Sequence, residues 1–103
     1  MGGAPLAPDR VVMTITSVPT GERPVMVVEH WAVGDWVFRP AGSYHTKELV
    51  HVQFAELVRV DPGLVELADL PDDWVASRRV IGQAWHRRWM HEDTRYLWDK
   101  GSL

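Results

Sequence analysis

The chain has 103 residues, of which 46% are hydrophobic and 24% charged, with a formal net charge of -3 and no cysteine. That size and balance fit one globular domain, able to bury roughly two-thirds of its unfolded surface. The lack of cysteine excludes disulfides, thiolate zinc sites and cysteine nucleophiles, and the acidic balance argues against a general nucleic-acid binder, which needs a basic face.

Residues 1–10 are small and proline-rich and read as a flexible lead-in to a single domain over 11–90, with 91–103 as a tail or helix end. The start lacks the charged and apolar regions of a signal peptide, and Leu6 stands where a myristoylation motif wants Ser or Thr. No apolar run approaches the ~20 residues of a membrane span. The expected setting is therefore soluble and cytoplasmic, with no membrane partner.

Val11 to Val18 alternates, with Val11, Met13 and Ile15 set against Thr14 and Thr16, and predicts a half-buried strand. Pro19 to Pro24 reads as a hairpin loop. Val25 to Trp31 predicts a second strand, apolar on both faces and so central. Gly34-Asp35 then turns the chain into a third strand, Trp36 to Arg39, which completes an antiparallel meander. Trp31 and Trp36 flank that turn and are expected to pack on each other across the hairpin.

Glu48 to Phe54 predicts a fourth strand, with Phe54 to Val58 equally suited to a short helix running out of it. Asp61-Pro62 is a helix start, Asp as N-cap and Pro at the first position. Leu64, Leu67 and Ala68 share a face of that helix, which must end near Leu70-Pro71. Trp74 to Ile81 predicts a fifth strand, broken at Gly82. Beyond it, Trp85, Trp89 and Tyr96 fit one helical stripe, and an extended tail over the sheet fits as well. The fold class is α+β: an antiparallel sheet of four to five strands with one or two short helices packed on one face.

Six tryptophans stand out. Most are expected to build the core, and Trp85, Trp89 or Trp98 to anchor an interface, since tryptophan is enriched in binding hot spots. Arg87 and Arg88, with Arg78 and Arg79, bracket Trp85, so guanidinium and indole groups cluster in the C-terminal third. Asp69, Asp72 and Asp73, with Asp61 and Glu66, form an acidic ridge around the short helix. A concave pocket, if present, would be lined by Trp36 and Trp74 with His30 or His51. His86 and His91 have i, i+5 spacing rather than the i, i+4 of a helical metal pair. No His-Glu-x-x-His, Gly-x-Ser-x-Gly or glycine-rich phosphate motif occurs, so neither a metal, a cofactor nor an enzymatic activity is expected.

Two segments carry a resemblance. Glu22 to His30 leads into Gly34-Asp35-Trp36-Val37-Phe38, and Asp61 to Pro71 is followed by Trp74 to Arg78 and then Trp85. Together they resemble a widespread bacterial family of small proteins of no assigned activity, grouped with the immunity-protein-like domains of polymorphic toxin systems. The resemblance covers about residues 22–89. Asp73 stands where that family has glycine, which implies a looser turn, and Gly63 where it often has serine, which weakens the first helical turn. The resemblance implies an α+β fold, a bacterial cytoplasmic setting and, by analogy, a binding role.

The sequence thus points to a non-catalytic protein-binding domain. It would meet a protein partner, or a second copy of itself, through Trp85, Arg87, Arg88 and Trp89 on one side and Asp69, Asp72 and Asp73 on the other. The alternative is a small-molecule or nucleotide-binding domain with a pocket lined by Trp36 and Trp74.

Overall fold

The computed structural model describes residues 5–91. Its strands are β1 (Val11–Ile15), β2 (Val27–His30), β3 (Trp36–Arg39), β4 (Leu49–Gln53), β5 (Trp74–Ser77) and β6 (His86–Trp89). An α-helix, α1 (Phe54–Val60), and 3-10 helices over Thr46–Glu48 and Pro62–Leu67 lie outside the sheet, and Met90 and His91 at the end of the described residues are helical too. The strands form one mixed sheet in the order β4-β1-β3-β2-β5-β6. The architecture is α+β, with six strands among the described residues rather than four or five.

The meander expected at the start does not form. β1 runs parallel to β3, with Met13 beside Val37, and β3 separates it from β2. The segment after β1 explains why. It makes successive turns, with Val18 N–H donating to Ile15 C=O, Gly21 N–H to Val18 C=O and Arg23 N–H to Ser17 C=O. These turns bury Val18 and Val25 in the core. The segment is therefore a crossover, not a hairpin loop. β2 and β3 do form the expected hairpin, with His30 opposite Trp36.

Burial in β1 reverses the expected faces. Val12 and Thr14 are buried, while Val11 is 55% exposed. A polar residue can lie there because the Thr14 hydroxyl donates to Phe38 C=O at 2.7 Å, which satisfies both groups and fastens β1 to β3. Ile15 is buried as well, so periodicity fails at the strand's end, where the crossover folds over it.

The core lies between the sheet and the helical segment over 54–70. Phe54 and Leu57 of α1 and Leu64, Leu67 and Leu70 beyond it pack with Val12, Val28, Phe38 and Ala76. Asp61 caps the second helical stretch as expected, its carboxylate accepting from Gly63 N–H at 3.2 Å. That stretch is 3-10, with Leu64 and Leu67 one turn apart and both buried. The lead-in is docked from Leu6 onward: Leu6 is buried, and its N–H donates to Ala68 C=O.

The fifth strand ends at Ser77, and Trp85 to Trp89 is not helical. His86–Trp89 pairs with β5 instead, Trp89 opposite Trp74. Strand pairing offered by the open edge of β5 outweighs the local helical spacing there. Tyr96 and Trp98 lie outside the described residues.

Candidate functional site

Of the basic and acidic groups that the sequence singles out, the fold joins Arg87 to Asp69 within one chain. Arg87 reaches from β6 across to the 3-10 helix, donating to Asp69 at 2.9 Å and to Glu66 C=O at 2.7 Å. Asp72 sits 3.1 Å from His30 Nε2, and Asp73 sits 3.4 Å from His91 Nε2. Asp69, Asp72 and Asp73 thus each have a partner inside the molecule. They fasten the loop after the 3-10 helix onto β2, β6 and the residue pair beyond β6.

Asp73 holds more than that. Its φ is 65°, in the left-handed region that favours glycine. Its N–H donates to His30 C=O at 2.6 Å, its C=O accepts from Met90 N–H at 2.7 Å, and its carboxylate accepts from Ala32 N–H at 3.2 Å. The turn that the resemblance suggests is loose is tied on three sides. Replacement by alanine keeps the strained backbone and loses the carboxylate, and is expected to cost about 2 kcal/mol. Asp73→Gly relieves the backbone and should cost about half as much. Urea denaturation of the two variants measures both; a glycine variant less stable than the alanine one would contradict this account.

The tryptophans divide differently from expectation. Trp36 is buried, and Trp74 and Trp85 are half-buried against the core. Trp89 is half-buried and meets the His91 ring edge-on at 5.1 Å. Trp85 carries the Arg78 guanidinium over its ring at 4.2 Å. Arg88 is half-buried on the opposite sheet face from Arg87, lining a shallow groove with Val27, Trp31, Val75 and Met90. The nominated residues therefore do not form one surface. Trp31 and Trp36 do not pack on each other either. The loop between the strands spans five residues, so Trp36 faces His30, and their rings stack at 3.9 Å.

Trp31, in the loop of this hairpin, is 42% exposed, and Val33 two residues on is 83% exposed. The loop that presents them is braced. Trp31 N–H donates to Asp35 C=O and Gly34 N–H to Trp31 C=O, both at 2.8 Å. From outside, Arg10 donates to Gly34 C=O at 2.8 Å and Asp73 accepts from Ala32 N–H. Gly34 has φ 96°, which a side chain rarely adopts. The sequence carries a signal for this: a tryptophan three residues before the Gly-Asp turn, out of register for the core face.

A second concave feature lies on the other side of the same loop. A cleft of about 750 Å³ is lined by His30, Trp36, Arg10, Asp72, Leu6 and Gly34, among others. It includes two of the residues expected of a pocket, while Trp74 and His51 lie elsewhere. Both ring nitrogens of His30 already have partners, Nδ1 with Leu70 C=O at 2.7 Å and Nε2 with Asp72. His51 sits three strands away on β4. Among the described residues no group of three or more His, Cys, Asp or Glu is placed to hold a metal, and no helix is long and apolar enough to cross a membrane. Comparisons with protein-family models, curated proteins and solved structures find no match to this chain.

Proposed function

We propose that the chain is a non-catalytic protein-binding domain, of the immunity-like kind that the sequence resemblance suggests, and that it engages its partner through the hairpin loop at Trp31 and Val33. One observation carries this reading. A large exposed aromatic stands on a loop braced by four hydrogen bonds, two internal and one each from Arg10 and Asp73. Binding hot spots are enriched in tryptophan, and a contact residue held in place before association loses little entropy on binding. The partner presents an apolar pocket to Trp31. The residues nominated from sequence serve this surface from behind: Asp73 braces the loop and Arg88 floors the groove beside it.

Trp31→Ala is expected to weaken partner binding by about 2 kcal/mol or more, roughly a thirtyfold rise in Kd, with the melting temperature little changed. Affinity capture from cells that produce the protein, followed by calorimetric titration of the captured partner, measures it. Equal affinity for the wild type and the Trp31→Ala variant would sink the reading.

The cleft beside His30 and Trp36 favours a second reading, a small-molecule site. A ligand there would quench Trp36, and a metabolite recovered with the purified chain and lost on Arg10→Ala would favour it over protein binding.

A further inference from the structure

Among the described residues β4 is one of the two edges of the sheet, and its outer side has an unusual pattern of backbone groups without a partner there. Thr16 N–H donates to Glu48 C=O at 3.0 Å and Phe54 N–H to Arg10 C=O at 2.9 Å. These bonds lie one step beyond each end of the β1–β4 register, which runs from Val11 beside Gln53 to Ile15 beside Leu49. Hydrogen-bonded positions alternate along an antiparallel pair, so residues 48, 50, 52 and 54 face β1. Leu49, His51 and Gln53 therefore turn their backbone groups outward.

Two of those six groups are already engaged. Leu49 N–H donates to Thr46 C=O at the end of the first 3-10 helix. Gln53 is the N-cap of α1, so its C=O accepts the first bond of that helix. What remains on the edge is Leu49 C=O, His51 N–H and C=O, and Gln53 N–H. This set is self-complementary. A two-fold axis at His51 sets His51 against His51 of a second copy and Leu49 against Gln53. Four hydrogen bonds then form: two between the His51 backbones and one from each Gln53 N–H to the opposite Leu49 C=O. The two groups already engaged would have faced each other, so neither copy leaves a group without a partner. An unrelated strand in the same place would keep the corresponding donor and acceptor unsatisfied.

The side chains agree. β4 has no proline and no charged residue, the devices that normally blunt an edge, whereas β6 at the other edge carries Arg87 and Arg88. The same axis sets Val50 against Val52 of the second copy in the closer, non-hydrogen-bonded pairing. Charge is matched at the ends: exposed Lys47 precedes the strand and exposed Glu56 follows it, and antiparallel pairing brings each to the other's end.

We propose that β4 is a self-association site at which two copies of this chain join their sheets across a two-fold axis at His51. This edge lies apart from the Trp31 surface, which is at the β2–β3 turn. Two variants test it. His51→Lys places like charges directly opposite each other, and His51→Pro removes both central donors without touching the pairing to β1. Sedimentation of the full chain over a concentration series should show a dimer. Its dissociation constant should rise about tenfold or more in His51→Lys and about thirtyfold in His51→Pro, while Trp31→Ala leaves it unchanged. Amide exchange at His51 and Gln53 should slow as concentration rises. A chain monomeric at every concentration overturns the proposal, as does a dimer indifferent to both His51 variants or one whose protected amides lie in β6.

Discussion

Arg78→Ala is expected to lower the unfolding free energy by about 3 kcal/mol, because breaking a buried charged pair strands the group left behind. The Arg78 side chain is only 5% exposed. It donates to Val25 C=O from Nε at 3.2 Å and Nη2 at 2.9 Å, and from Nη2 to Asp61 at 2.7 Å. Its guanidinium also lies over Trp85. One side chain thus ties the end of β5 to the crossover before β2, to the cap of the 3-10 helix and to the loop before β6. The loss is set nearer 3 than 5 kcal/mol because Asp61 is 26% exposed and regains some hydration. For a domain of this size that corresponds to a drop of roughly 12–24 °C in Tm. Circular dichroism melting measures it, and a drop of only a few degrees would show that the network is not structural.

Phe38→Ala is the second large effect, at about 4 kcal/mol. Phe38 is fully buried at the middle of the sheet and stands between two other rings. Trp36 is stacked at 6.1 Å on one side, and Phe54 of α1 is tilted at 5.5 Å on the other. Truncation removes the apolar area and leaves a cavity between sheet and helix that neighbouring rings cannot fill without leaving their rotamers. Chemical denaturation should show the midpoint falling with little change in slope. A loss under about 1.5 kcal/mol would mean that α1 collapses onto the sheet and fills the space.

Much of this fold is legible in the residues. The β2–β3 hairpin follows from Gly34-Asp35, the run of Glu48 to Val58 gives a strand passing into a helix, and Asp61-Pro62 marks the next helical start. What escapes is non-local. The neighbour of β1 is not local information, because its pairing with β3 depends on where the crossover over 16–26 carries the chain. The buried face of β1 is the one the alternation does not predict, because Thr14 has the Phe38 carbonyl waiting for its hydroxyl. Trp85 and Trp89 fit a helical stripe in spacing, yet the open edge of β5 recruits His86–Trp89 as a strand.

The same limit governs the candidate site. Counting charges along the chain identifies an acidic ridge and a basic cluster, but not that Arg87 and Asp69 meet each other. Charge groups complementary to a partner are also complementary to one another, and a small domain brings them close. Trp31 escapes for the opposite reason: a two-residue turn would pack it on Trp36, and the five-residue loop turns it outward.

The claim that Trp31, rather than the paired charges, meets the partner is tested most directly by site-specific photo-crosslinking. A photoreactive residue is placed at Val33, next to Trp31, or at Asp69 in the acidic ridge, in cells that produce the protein. The account predicts one discrete crosslinked protein from position 33 and none from position 69. The same product from position 69, with nothing from position 33, would contradict it.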